Sequence, residues 1–419
     1  MVKKVNVLYV HQDGNLSASA ISLRNLLQAL DREQFQPRVL LGGSGTTGQS
    51  EMDAQPFFES LGIPVDTIPI KGFWTAPGTP WYRGDYYRNF LALFPNPPLM
   101  KYLTQQNVDL IHINDKAMLS AGLAASRLGL PIVWHLRSTY RLSHSRMQAL
   151  ISRFGIKRSA DHLIAISEDE ADGFEDFPNL HIIHNSVDWK LIEQALPQRD
   201  KIRAEFGCSS DEIVIGMVGF LSEVKGAWDF ILAAGQVCAA LPNHKLRFVI
   251  VAPIPKRMGS MGLSEKLNLS RTNHAEDHAW QLARQAGIED KLIITGYRTD
   301  VFVVIGAFDI AVSCYRLRAI GRPAFEAMAM GKPLVVTPGY TGRSQVVVDG
   351  ETALVVPPGD LQALANAIVT LARDPELRQQ MGESGMLYSR KHFDPERNAR
   401  AVEQVYQLAL QTHQAKKGE

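Results

Sequence analysis

The sequence predicts an α/β protein built from two doubly wound parallel sheets, and three observations lead there. Short β-branched runs alternate with helical segments along most of the chain, the pattern of a parallel sheet covered on both faces. The length, 419 residues, exceeds what one typical core holds. The alternation breaks once, around Ile182 to Asp188, and restarts at Ile213.

In the first half, Val5 to Val10 reads as a strand, Ala18 to Leu30 as a helix, and Pro37 to Leu41 and Val65 to Ile70 as further strands. Leu110 to Ile113, a helix through Met118 to Leu128, Ile132 to His135 and His162 to Ile166 continue the pattern. A helical stretch from Trp189 to Phe206 follows the break, which places a linker near residues 186 to 196. The second half repeats the alternation with Ile213 to Val218, Leu246 to Val251, Leu292 to Thr295, Ile310 to Ser313 and Leu334 to Thr337 as strands. Pro357-Pro-Gly-Asp360 precedes a helix from Leu361. Asp394-Pro395 starts a last helix through Gln411, and Ala415 to Glu419 is expected to fray. The expected layout is two Rossmann-like domains, residues 1–190 and 191–394, facing one cleft.

With 45% apolar and 21% charged residues the composition is that of an ordinary soluble globular protein. A net charge of +1 argues against a global attraction to nucleic acid. Cys208, Cys238 and Cys314 are widely spaced and fit reduced thiols in a cytoplasmic protein, not a disulfide framework. The apolar run before His11 is too short for a signal peptide, and no segment is long and apolar enough to span a bilayer. A Gly-x-Gly-x-x-Gly after the first strand is missing, which weakens an NAD-dependent reading, and no convincing metal cluster stands out.

The most informative stretch runs from Arg318 to Pro333, behind the apolar strand Phe308 to Cys314. The order is strand, Gly-bearing loop, helix, strand. Pro323 suits a first helical position and Gly331 a C-terminal cap, so backbone N–H groups near Gly321 and Arg322 would face an anion at the helix's positive end. Local physics alone leaves an ordinary strand-to-helix connection equally open. The stretch resembles the Glu-x7-Glu signature of the retaining family 4 glycosyltransferases, which have the GT-B fold. That resemblance implies that Glu326 binds the donor's ribose hydroxyls, and it puts Arg318 where the family's first glutamate stands.

The resemblance covers nearly the whole chain and is strongest from Ile213 to Asp360. Gly216-Met-Val-Gly-Phe-Leu-Ser-Glu-Val-Lys-Gly226 is similar to the family's diphosphate-binding Gly-Arg-Leu…Lys-Gly segment. Gly219 would form its turn and Lys225 would neutralise phosphate, the plain alternative being a solvated lysine. Phe220 stands where the family has an arginine. Ile294 to Val301 resembles the turn near the nucleotide base, which brings in Gly296, Tyr297 and Arg298. Thr341 to Gly350 resembles a Gly-Gly-x-x-Glu turn with Gln345 at the glutamate. His135, at a strand's C-terminal end, matches a histidine close to the donor sugar, its alternative being a satisfied structural residue; His112 and His184 have weaker claims. Ser17 and Ala18 stand in place of a Gly-Gly pair at the first loop. The last helix, residues 395–419, is implied to cross back onto the first domain.

Aromatic residues concentrate from Phe73 to Phe94, suited to sugars, to a lipid interface, or to a loop's own small core. Charges from Arg137 to Arg158 are all basic and interleave with Leu142, Met147, Leu150, Ile151 and Phe154, which reads as an amphipathic helix facing an anionic membrane or merely a solvated face.

The resemblance implies a retaining transferase moving a sugar from a nucleoside diphosphate sugar, a UDP-sugar for instance, to a glycan or lipid-linked acceptor in polysaccharide or glycolipid assembly. No cofactor or metal would be required, no nucleic acid would take part, and the site would be cytoplasmic and peripheral at the inner membrane face. Phe220, Arg318, Gln345 and the missing glycine pair keep a second reading open, a nucleotide-sugar-binding or regulatory subunit without turnover. Arg318 would favour a uronic acid donor, or, like Arg316, replace the arginine missing at Phe220.

Overall fold

The computed structural model describes residues 3–12, 14, 16–43, 53–70, 72–73, 91–139, 146–252, 263–316, 320–339 and 347–418; the side chains of Arg146, of 263–273 and of 416–418 are outside the description. The predicted sites Arg318 and Gln345, and the aromatic residues from 74 to 90, lie outside the described residues. The chain divides into two compact units, Met1–Ser186 with Phe393–Glu419, and Val187–His392.

The first unit is a parallel sheet of β1 (Val5–His11), β2 (Phe35–Leu41), β3 (Val65–Thr67), β4 (Leu110–Asn114), β5 (Ile132–Leu136), β6 (His162–Ala165) and β7 (Leu180–Ile182). Their order is β3-β2-β1-β4-β5-β6-β7. The second is a parallel sheet of β8 (Ile213–Val218), β9 (Leu246–Val251), β10 (Leu292–Ile294), β11 (Ile310–Ser313), β12 (Leu334–Val336) and β13 (Ala353–Val355), in the order β10-β9-β8-β11-β12-β13. Each sheet winds outward from its first strand and then reverses, between β1 and β4 and between β8 and β11. A crevice opens at the C-terminal ends of the strands flanking such a reversal, because the crossovers leave in opposite directions there.

Packing on both faces explains the near-continuous apolar strands. On one face of the first sheet Tyr9, Leu23, Leu27, Val402, Val405 and Tyr406 share a core, built with the helices Ala18–Ala29 and Pro395–Gly418. On the other, Leu8, Val10, Ile113, Trp134 and Ile156 pack with the helices Leu119–Arg127 and Arg146–Ser159. The second unit has its own core around Ile215, Phe230, Phe248 and Ile368.

Several sequence expectations are corrected. β2 begins at Phe35 and so contains Pro37, tolerated because β3 pairs only from Val39 onward. The run at Val65 ends as a strand at Thr67, opposite the end of β2. Two edge strands, β7 and β13, fell where no strand was expected; short and only partly buried at the sheet edges, they lack the continuous apolar run of the inner strands. The helix expected from Trp189 to Phe206 is two, Trp189–Ala195 and Arg199–Glu205, separated by a 3-10 turn at Pro197, whose ring nitrogen has no hydrogen to donate. The last helix runs to Gly418, past the expected end at Gln411.

Candidate functional site

In the second unit two loops, one after β8 and one after β11, meet around one ring, that of Tyr315, two residues beyond β11. Lys225 places its Nζ 4.1 Å from the ring centroid. A Cβ on Gly219 would lie 3.8 Å from both the Tyr315 hydroxyl and Lys225, and one on Gly321 would come within 2.5 Å of the ring. Gly321 is therefore required sterically: no larger residue lets the chain pass Tyr315. It is also the N-cap of the helix Arg322–Ala329, with no side chain to close the first turn and Pro323 just inside it. Gly331 takes a left-handed φ of 68° past that helix, the cap expected of it.

Glu326 sits one turn into this helix, 7% exposed, and its Oε1 accepts from Arg322 Nε at 2.6 Å. The pair holds the carboxylate on the helix's leading face. Burial lowers the pKa of Lys225, though the Tyr315 ring beside it is attractive, so a counter-anion would be welcome there.

The loop carrying Lys225 is fixed from below. Gly226 has φ 75°, and a Cβ on it would lie 2.0 Å from the Cys314 carbonyl oxygen. Arg316 forks onto the buried Asp229, Nε to Oδ2 and Nη2 to Oδ1 both at 2.7 Å, while Nη1 reaches Glu223 at 2.7 Å. Its guanidinium is occupied in tying the loop to the next helix, which argues against Arg316 as the substitute for an arginine at Phe220. Phe220 itself is 61% exposed.

Gly296 has φ 78° and Tyr297 beside it is exposed, as a turn presenting backbone requires. Arg298 is bidentate to Asp300 at 2.8 and 2.7 Å and also reaches Glu205 at 2.5 Å, which raises its pKa. These carboxylates hold it in the turn. Ser17 caps the helix Ala18–Ala29, its Oγ accepting from Ala20 N at 3.3 Å. That capping hydroxyl also lies 2.9 Å from Ser19 Oγ.

In the first unit, the crevice edge carries a row of register partners, His11, Asn114 and His135, on adjacent strands β1, β4 and β5. Arg137, two residues past His135, binds them together: Nε donates to Asn114 Oδ1 at 2.6 Å, Nη2 to His135 Nδ1 at 3.2 Å, and Nη1 to Asn185 Oδ1. Asn114 Nδ2 lies 3.0 Å from His11 Nδ1. One step down the same face, His112 meets the Tyr406 hydroxyl at 2.8 Å and its ring centroid is 5.2 Å from that of His135. Burial, with the Arg137 charge second, pushes His11 down to about 4 and holds His112 and His135 well below the usual histidine range. All three are neutral. His184 is tied to the Ile166 carbonyl at 2.8 Å.

The sequence singled out Lys225, Gly321, Glu326 and His135 as candidates; it assigned no role to Tyr315, Asp229 or His11 and read Arg137 only as part of a basic segment. A tyrosine at a strand end or an arginine two residues past a histidine carries no motif. Their roles come from partners on other strands.

The basic helix is Arg146–Ser159, with Met147, Leu150 and Phe154 exposed by 65%, 61% and 69% on one stripe. Much of its positive charge is spent internally. Arg153 pairs with Asp172 at 3.1 Å, Lys157 with Asp176, and Arg137 is bound as above, while Arg158 is exposed. Among the described residues no helix is long and apolar enough to cross a membrane.

Residues 198–387 match the glycosyl transferases group 1 family and residues 19–190 match Glycosyltransferase Family 4. A D-inositol 3-phosphate glycosyltransferase of Kribbella flavida is 25% identical over 314 residues, 69% of this chain and 68% of its own length. The lipopolysaccharide core biosynthesis mannosyltransferase LpsB of Rhizobium meliloti is 27% identical, across 66% of this chain and 73% of its own. Among solved structures, Anabaena Alr3699/HepE in complex with UDP and glucose superposes with a TM-score of 0.74 at 21% identity, over 96% of this chain and 99% of that one. WaaG, a glycosyltransferase involved in lipopolysaccharide biosynthesis, gives a TM-score of 0.65 at 15% identity, over 95% and 99%. Both likenesses support a two-domain GT-B fold.

Proposed function

Because this chain belongs to the group 1 glycosyltransferases, with a family 4 match across its first half, we propose that it moves a sugar with retention from a nucleoside diphosphate sugar to a hydroxyl acceptor. The observation that carries this reading is the convergence on Tyr315 of a lysine, the close-packed Gly321, the neighbouring Gly219 and a helix N-terminus with Glu326 in its second turn. As the bond from the anomeric carbon to the diphosphate oxygen breaks, negative charge grows on the leaving group. Lys225 and the positive end of the helix Arg322–Ala329 stand ready to stabilise it. Glu326 accepts hydrogen bonds from the ribose, with Arg322 fixing its carboxylate. Gly219 lets the diphosphate approach, Gly296, Tyr297 and Arg298 shape the base pocket, and His135 meets the sugar. A UDP-sugar is the first donor to try, since HepE is seen with UDP and glucose and with UDP-glucose. Retention rests on the Glu326 signature, and no protein nucleophile is assigned.

The direct test is release of free nucleoside diphosphate from a panel of nucleotide sugars, with the anomeric configuration of any product read by NMR. Lys225→Ala is expected to lower kcat about a hundredfold, the usual cost of one lost transition-state donor. Glu326→Ala should chiefly raise the donor KM. Binding without release from any donor would favour the non-catalytic subunit instead.

Relatives named for lipopolysaccharide core biosynthesis support a glycan or lipid-linked acceptor. The stripe of Met147, Leu150 and Phe154, with Arg158 at its end, fits a membrane surface carrying that acceptor, and it would sit there more by apolar insertion than by charge. Co-sedimentation with anionic liposomes at low salt should fall when Phe154→Ser and Leu150→Ser are combined. No sedimentation of the wild type would remove the membrane role.

A further inference from the structure

The row His11, Asn114, His135 is held by a group that can only donate. A guanidinium has five N–H bonds and no lone pair to offer, so every partner of Arg137 must accept. Its Nη2 lies 3.2 Å from His135 Nδ1, which is then the bare nitrogen, and the ring's proton is on Nε2. Its Nε takes Asn114 Oδ1 at 2.6 Å, which turns the amide so that Nδ2 donates to His11 Nδ1 at 3.0 Å. His11 is thereby an Nε2–H tautomer as well. Both Nε2 atoms are buried without a hydrogen-bond partner, on side chains 0% and 3% exposed. A buried donor left unpaired is costly, and an oxygen supplied by a ligand would relieve it.

We propose that Arg137 is a positioning residue that fixes His135 as the Nε2–H tautomer, so that His135 meets a bound sugar as a hydrogen-bond donor and not as a base. This rests on the reading that His135 lies against the donor sugar. The ligand chemistry follows from the tautomer. Nε2–H selects a hydroxyl or ring oxygen and rejects an ammonium, and it has no lone pair with which to take a proton from the acceptor hydroxyl. The depressed pKa of His135 agrees: burial is its main cause, and the guanidinium that orients the ring adds to it. Arg137 itself need not touch substrate.

The test is direct observation of the tautomers in the full-length chain labelled with 15N-histidine, by long-range 1H–15N spectra at neutral pH. Signals are assigned by their loss in His135→Gln and His11→Gln. Both rings are expected as Nε2–H in the wild type. Arg137→Gln, whose amide can accept as well as donate, should release His135 into a mixture of tautomers, while Arg137→Lys, a donor only, should hold it. An Nδ1–H ring at His135 in the wild type, or no change in a folded Arg137→Gln, overturns the proposal. Should Arg137→Gln not fold, the wild-type tautomers of both rings still decide it. Adding UDP-glucose, with UDP alone as control, separates this from the reading beneath it. A shift of His135 Nε2 with UDP-glucose only supports both. The Nε2–H tautomer with no shift from UDP-glucose leaves the tautomer assignment standing and defeats the placement of His135 on the sugar.

Discussion

Tyr315 is the residue on which the candidate site of the second unit converges. Its ring lies against Gly321, faces the Lys225 ammonium and stands near Gly219, so one side chain joins its own strand-to-helix segment to the loop from Gly219 to Lys225, some 90 positions earlier. Tyr315→Phe keeps the ring and should bind UDP-glucose nearly as the wild type does. Tyr315→Ala should weaken binding about tenfold, in keeping with the loss of a partly desolvated cation–π contact of about 1.4 kcal/mol, measurable by calorimetry. Gly226→Ala adds a Cβ at φ 75° and 2.0 Å from a backbone oxygen, and a urea titration should show a loss of at least about 2 kcal/mol. Lys225, Gly321 and Glu326 were legible in the sequence because each sits in a local pattern of turn and helix start. Tyr315 and Arg137 were not, because each also joins partners from a distant segment, Lys225 for one and Asn114 and Asn185 for the other, and no local motif marks that.

At the level of elements, the long central strands were the easiest to read, being buried on both faces and therefore apolar throughout. β7 and β13 escaped notice because, at the sheet edges, they are only partly buried and so not continuously apolar. The helix Pro395–Gly418 is the element whose place the local pattern says least about. Its amphipathic face was visible, but only packing puts Val402, Val405 and Tyr406 in one core with Tyr9 and Leu23, some 400 positions earlier. The Tyr406 hydroxyl also reaches Tyr9 at 3.1 Å and His112 at 2.8 Å, just beneath the His135 row. Ending the chain at His392 should therefore unpack one face of the first sheet. Loss of near-UV circular dichroism with dye binding to exposed apolar surface is the expected outcome, and a native-like spectrum would count against this role for the helix.

For the whole molecule, the buried histidines set a dependence of stability on pH. His11, His112 and His135 are neutral when folded but would charge below about pH 6.5 in the unfolded chain, so the unfolded state binds more protons and stability falls with pH. Glu170 works the other way, because burial pushes it up to about 7 and the folded state takes its proton first. These three histidines, with His181 also lowered by burial, outweigh the one glutamate and predict a net loss of stability between about pH 7 and 5.5, read from urea unfolding at the two values. Constant stability over that interval would show that these rings are not buried as neutral groups. The sequence by itself determined the α/β class and the order of strands and helices along the chain, and it singled out Lys225, Gly219, Gly321 and Glu326 as candidates, because periodicity and turn chemistry act within a few residues. Only the tertiary structure decided that Arg316 is bound to Asp229, that Tyr315 packs against the segments of Lys225 and Gly321, and that Arg137 bridges Asn114 and His135. Hydrogen bonding and close packing join whatever the sheet brings side by side, and register across strands leaves no local trace in sequence.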